Sequence, residues 1–266
     1  MTDNLPDRSL RPGQTESLDG SRPPEFWPEL NREVERIENP QTILFELFKR
    51  FADRAAIITS GQITGMTLVQ MAWENRLPFR VCTIDTGRLF PQTYDFLELA
   101  EDHYGIQIER VSADPDTINR MVTQHGEYLF FDSQAKQEYC CKIRKVNPQE
   151  RLLDTLDVWF TGLRRDQSEF RQQVPKVQLI DHQQRTILKV SALANWSNEQ
   201  VWDYIERNQV PVNPLLRSKP GGAYYESLGC VICTTPIRPS EPKRAGRWRW
   251  QHNEENKKEC GLHFSI

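Results

Sequence analysis

The chain has 266 residues, and its 34 Lys and Arg against 37 Asp and Glu leave a formal net charge of −3. So close a balance gives no bulk electrostatic case for nucleic acid or an anionic membrane surface. With 38% hydrophobic residues there is material for a core, but no apolar run long enough to span a bilayer.

The first 24 residues are rich in Asp, Ser, Arg, Pro and Gly and read as a flexible polar tail without the apolar centre of a signal peptide. Six cysteines without an export signal point to reduced thiols, metal ligation or catalysis in the cytoplasm rather than disulfides. Residues 27–38 and 42–51 carry apolar side chains at helical spacing, with Leu44, Leu47, Phe48 and Phe51 on one face. Beyond them, short apolar runs alternate with amphipathic segments. Strands are predicted at 56–59, 81–84, 106–111, 158–160 and 177–180, with 187–190 pairing nearby. Helices are predicted at 66–74, 93–103, 116–124 and 147–156. Ser197 caps a further helix at 199–207, with Trp202 and Ile205 facing inward. This alternation predicts an α/β fold built on a doubly wound, mostly parallel sheet. Residues 25–250 then form one α/β domain, and 251–266 a mobile C-terminal tail.

In such a sheet, ligands bind beyond the carboxyl ends of the strands. Three predicted strand ends carry suitable residues. The turn Thr59-Ser60-Gly61-Gln62-Ile63-Thr64-Gly65 is small and hydroxyl-rich, but it lacks Gly-Lys-Ser/Thr and reads by itself as an ordinary strand-to-helix turn. The second end is Ile84-Asp85-Thr86-Gly87-Arg88. The third, Thr161-Gly162-Leu163-Arg164-Arg165-Asp166, places two arginines directly after a strand, suited either to an anion or to pairing with Asp166. Further basic groups follow at Lys142, Arg144 and Lys145, and at Arg244, Arg247 and Arg249.

The cysteines divide by spacing. Cys140 and Cys141 are adjacent, Cys230 and Cys233 form a C-x-x-C pair, and four thiolates complete the shell of one iron–sulfur cluster or one zinc ion. Cys260 is left over near the C-terminus, beside Lys257, Lys258 and His263. Cations near a thiol favour the thiolate and hence nucleophilic chemistry. Cys82, inside a predicted strand, reads as core packing.

Taken in order, these segments resemble the assimilatory adenylylsulfate reductases, the iron–sulfur branch of the sulfonucleotide (phosphoadenylylsulfate) reductases. The resemblance runs through Ile84-Asp85-Thr86-Gly87-Arg88, Cys140-Cys141-Lys142-Ile143-Arg144-Lys145, Thr161-Gly162-Leu163-Arg164-Arg165-Asp166, Gly229-Cys230-Val231-Ile232-Cys233, Arg244-Ala245-Gly246-Arg247-Trp248 and Glu259-Cys260-Gly261-Leu262-His263. It implies an adenine-nucleotide alpha hydrolase-like, Rossmann-like fold. One [4Fe–4S] cluster per chain would sit on Cys140, Cys141, Cys230 and Cys233. Cys260 would be the nucleophile, assisted by Lys145 and His263, with Ser60, Arg88, Gly162, Arg164, Arg171, Arg244 and Arg247 holding the substrate. The implied reaction reduces adenylylsulfate to sulfite and AMP through a Cys260 S-sulfonate released by thioredoxin or a similar dithiol protein. Relatives suggest a homo-oligomer.

The chain departs from the family in one loop. Where members read Ser-Phe-Gly-x-Gln-Ser-Ala, this chain has Ser60-Gly61-Gln62-Ile63-Thr64-Gly65-Met66, which bears on how the adenosine is held and on which nucleotide is preferred. The competing readings are a phosphoadenylylsulfate reductase and a non-catalytic iron–sulfur or zinc module. A nucleotide-activating adenylyltransferase would need a Ser-Gly-Gly-x-Asp-Ser loop, which is absent.

Overall fold

The computed structural model describes residues 25–217, 222–243 and 245–250. Two helices come first, α1 (Phe26–Arg36) and α2 (Pro40–Phe51). Asn39 caps α2, its side chain accepting from the backbone N–H of Gln41 at 2.8 Å, and Pro40 follows where a missing N–H costs nothing. The face read from the sequence is the buried one: Leu44, Leu47, Phe48 and Phe51 all join the main core.

The alternating pattern continues as β1 (Ala55–Ile58), α3 (Ile63–Glu74), β2 (Arg80–Asp85), α4 (Pro91–Tyr104), β3 (Ile108–Ser112) and α5 (Pro115–His125). Then come α6 (Gln134–Cys141), a π-helical turn over Lys142–Val146, α7 (Asn147–Leu153), β4 (Val158–Thr161), β5 (Val177–His182), β6 (Arg185–Val190) and α8 (Asn198–Asn208). The strand order is β3-β2-β1-β4-β6-β5, and every pairing is parallel except the β5–β6 hairpin. The main core fills one face of the sheet, with α1, α2, α3 and α8 contributing. A second cluster on the other face packs Leu152, Leu153 and Leu156 against Cys82, Ile84 and Trp159. Coverage on both faces is what makes the central strands nearly all apolar. Cys82 is fully buried within that second cluster, and its thiol is pushed up to about 12, mainly by burial. No helix among the described residues is long and apolar enough to cross a membrane.

Several boundaries differ from the sequence expectation. The helix predicted from residue 66 begins at Ile63, and the one predicted at 147–156 ends at Leu153, followed by a turn. α6 and the π-helical turn, which carry the adjacent cysteines, were not predicted, because the stretch is too short and mixed to show a clear apolar period. Ser197 caps α8 as expected, reciprocally with Gln200, and Ile205 is buried whereas Trp202 is half-buried.

Candidate functional site

From β1 the chain builds outward to β2 and β3 on one side, then returns to place β4 on the other. Connections that diverge in this way leave a crevice at the strand carboxyl ends. A cavity of about 240 Å³ opens there. Its sheet side carries the apolar Ile58, Ile84 and Trp159, and its other walls mix apolar residues such as Leu89, Leu216 and Leu228 with polar and charged ones.

The turn after β1, read from the sequence as ordinary, is one of those walls, with Ser60, Gln62 and Thr64 on the cavity. No side chain caps α3 at Gln62, so the first-turn N–H groups border the cavity without a capping side chain. The Gln62 amide instead donates to Ser60 Oγ at 2.7 Å and accepts from the Leu228 N–H at 3.0 Å, tying the turn to the strip 226–229 opposite. Two glycines let the first turn of α3 sit close to the ends of β4 and β1. A Cβ on Gly162 would sit 3.2 Å from Gly65 N and 3.3 Å from Thr64 Cβ, and one on Gly65 would sit 2.8 Å from Thr59 Cβ.

The paired arginines after β4 separate. Arg164 is buried and turns inward, with its guanidinium held by Asp166 at 2.9 Å, by Asn198 at 3.1 Å and by Thr64 Oγ1. Arg165 turns outward and donates to the Val174 carbonyl at 2.9 Å. The pairing of Arg164 with Asp166 and its place on the cavity are therefore both real. Arg171 also lines the cavity, donating to Gln167 Oε1. Arg247 is buried, donates to Thr234 Oγ1 at 3.0 Å and stacks over Trp248. Gly229 makes room for it, since a Cβ there would lie 2.8 Å from the Arg247 Cζ.

A second, narrower cavity is lined by Cys140, Cys141, Cys230 and Cys233 together, with Arg88, Arg144 and Lys145. Gln137, Cys140, Cys141, Arg144 and Lys145 fall at three- and four-residue spacing, so one helix face carries thiols and cations side by side. The thiols bond to their surroundings. Gln137 donates to Cys141 Sγ at 3.1 Å, and Cys230 Sγ lies 3.3 Å from Thr86 Oγ1. Cys230 and Cys233 share a hydrogen bond that holds Cys230 well below the ordinary thiol range, helped by Lys145, Thr86 and Arg247, while Cys233 keeps the proton. Burial raises Cys140, against the pull of Arg144 and Arg88. Among the described residues no three Cys, His, Asp or Glu side chains stand together in metal-holding geometry. The four sulfurs nevertheless line one cavity, which is the stronger observation, because side-chain rotation is enough to redirect a thiol.

Ser60, Gly162, Arg164, Arg171, Arg247 and Lys145 all lie on the first cavity. Arg88 does not: it sits with the cysteines, over the Phe130 ring and donating to the Glu127 carbonyl at 2.9 Å. Cys260, His263 and Arg244 lie outside the described residues. Lys145 is buried and borders both cavities. Thr86, Gln62 and Arg144 were missed as site residues. Arg144 was recoverable from its helical spacing to Cys140, whereas nothing in the sequence marks the long-range contacts of Thr86 and Gln62.

Fold and cavities together define an α/β protein of the adenine nucleotide alpha hydrolase-like class with a cysteine centre beside its ligand crevice. The same fold occurs in a phosphoadenylyl-sulfate reductase from Candida auris solved as a phosphate complex, with TM-score 0.61 and 23% identity, covering 82% of this chain and 98% of that one. An FMN adenylyltransferase from Candida glabrata also shares it, at TM-score 0.50 and 16% identity over 90% of this chain and 81% of that one. Residues 54–236 match the phosphoadenosine phosphosulfate reductase domain, and the chain belongs to that family. Relatives named adenosine 5′-phosphosulfate reductase include one from Agrobacterium fabrum, 38% identical over 80% of this chain and 78% of its own length. Another, from Allochromatium vinosum, is 38% identical over 87% of this chain and 85% of its own.

Proposed function

We propose that the chain is an adenosine 5′-phosphosulfate reductase of sulfate assimilation, reducing adenylylsulfate to sulfite and AMP. The observation that carries this reading is the position of Lys145, on the wall common to a nucleotide-sized crevice and a four-cysteine cavity. Relatives of that name, at 38% identity over most of both chains, support the choice of substrate.

The apolar sheet side of the crevice suits a base, and the uncapped first turn of α3 suits an anionic group. Lys145 and Arg247 put positive charge where the phosphosulfate would lie, offsetting its repulsion of an incoming thiolate. That thiolate is Cys260. It follows Trp250 by ten residues, a span of up to roughly 33 Å, and Trp250 packs against Phe130 and Phe131 beside the cysteine cavity. The Cys260 thiolate attacks the sulfate sulfur, the S–O bond to the phosphate breaks, and AMP leaves with that oxygen. His263 and Arg244 complete the charge around the transferred group. A thiol of thioredoxin or a similar dithiol protein then attacks Cys260 Sγ and releases sulfite. Its second thiol resolves the mixed disulfide, so two electrons pass from the dithiol to sulfur.

Cys140, Cys141, Cys230 and Cys233 supply the donor set of a [4Fe–4S] cluster, one per chain. When bound, the cluster supplies local order and charge around Lys145 rather than an electron relay, since a dithiol delivers its electrons as a pair. The test is sulfite release from adenylylsulfate with reduced thioredoxin, run beside the 3′-phosphorylated nucleotide. Release from adenylylsulfate in preference is the expected result. Preference for the 3′-phosphorylated nucleotide would make the chain a phosphoadenylylsulfate reductase, and release from neither would leave a cysteine-centred binding module.

A further inference from the structure

Among the described residues lining the crevice, Glu226 is the one carboxylate, against the cations Lys145, Arg164, Arg171, Lys243 and Arg247. A wall built for an anionic ligand gains nothing from a negative charge unless that charge has a donor to meet. Glu226 makes no hydrogen bond or ion pair to a described residue, so its acceptor oxygens are not committed among the described residues. The charged groups that act on it are Lys243 and Arg164, which favour its ionised form, and Asp166, which opposes it. It is half-buried, two residues before Leu228, whose N–H donates to Gln62 across the crevice.

Of the polar groups on an adenosine 5′-phosphosulfate, only the ribose hydroxyls and the exocyclic amine donate hydrogen bonds. The base suits the apolar sheet side formed by Ile58, Ile84 and Trp159, whereas the groups that act on Glu226 are the charged Lys243, Arg164 and Asp166. The hydroxyls are then the donors left for this carboxylate, in the way an acidic residue reads the ribose of a dinucleotide. Building on the reductase reading, we propose that Glu226 is a specificity-determining residue that accepts a hydrogen bond from the ribose and rejects nucleotides carrying a 3′-phosphate. A phosphate in place of the hydroxyl removes the donor and sets two negative charges together in a partly desolvated wall, where like charges discriminate strongly. Burial already raises the Glu226 carboxyl above its ordinary range, consistent with a wall that tolerates little added negative charge.

The test is calorimetric binding of AMP and adenosine 3′,5′-bisphosphate to the full chain, for wild type, Glu226→Gln and Glu226→Lys. Wild type is expected to prefer AMP. Glu226→Gln should narrow that preference by about tenfold or more while keeping AMP affinity within about threefold, and Glu226→Lys should invert it. Retained AMP binding shows that each variant is folded. An unchanged ratio in variants that still bind AMP would overturn the proposal and leave Glu226 as a rim residue balancing Lys243. So would a changed preference between AMP and inosine monophosphate with the 3′-phosphate ratio unmoved, which would assign Glu226 to the base. If wild type binds neither nucleotide, the reductase reading fails, and this proposal with it.

Discussion

Lys145 stands at the junction of the two cavities, where its ammonium acts on the cysteines from one side and on the ligand crevice from the other. Removing one preorganised hydrogen-bond donor from a developing oxyanion typically costs about 10²–10³ in rate. Lys145→Met should slow Cys260 sulfonation by about that factor while weakening AMP binding far less, measured by single-turnover mass spectrometry beside calorimetry. Gly162 governs position rather than charge. Gly162→Ala drives a Cβ against Gly65 N and Thr64 Cβ. It should weaken AMP binding by about tenfold, as the first turn of α3 is displaced, with a stability loss of about 1–3 kcal/mol. Arg165→Ala is the control and should leave both affinity and rate unchanged, because Arg165 points away from the crevice. Two adjacent arginines with opposite fates show the limit of reading residues from sequence. The motif shows that a basic pair follows a strand, but the local backbone decides which member turns inward. Arg88 illustrates the same limit, since its motif gives the strand end and not which of two neighbouring cavities it enters.

At the scale of elements, the face Gln137, Cys140, Cys141, Arg144 and Lys145 makes α6 and the turn after it the organiser of the cysteine centre. The sequence marks the cysteines and the basic residues after them but neither Gln137 nor the helix, because the adjacent cysteines sit in a stretch too short and mixed for a clear period. With the helix and its π-helical continuation in place, Arg144 and Lys145 stand beside the thiols. Cys141→Ser and Cys233→Ser should each abolish stoichiometric iron and acid-labile sulfide in anaerobically purified protein. Iron retained at wild-type level in both would remove these residues from the ligand set. The opposite end of the sheet is stability rather than chemistry. Asp157 takes two bonds of 2.7 Å from Arg54 and one of 2.8 Å from Arg185, joining the starts of β1, β4 and β6. Its carboxylate is buried, whereas both arginines are partly exposed, which screens the pairing. Asp157→Ala should therefore destabilise by about 2–3 kcal/mol in denaturant unfolding, below the full loss of a buried pair, with AMP affinity unchanged.

For the molecule as a whole, the α/β class and the mostly parallel sheet were legible because buried parallel strands are continuous apolar runs between amphipathic helices. The antiparallel β5–β6 hairpin was seen only as a nearby pairing, since strand direction depends on a turn at Gln183 and Gln184 with positive φ that carries no glycine signal. The crevice at the β1–β4 reversal followed from the class of fold, and the resemblance put Ser60 on it, whereas the tie from Gln62 to Leu228 was not legible because it joins segments far apart in the chain. The central claim is that Cys260 attacks a sulfonucleotide held between these elements. The direct measurement is the intact mass of anaerobically purified protein after incubation with adenylylsulfate and no reductant, with Cys260→Ser in parallel. The account predicts one sulfonate per wild-type chain, none on the variant, and release of that group as sulfite by reduced thioredoxin. An unmodified wild type, or an adduct that persists on Cys260→Ser, would contradict it.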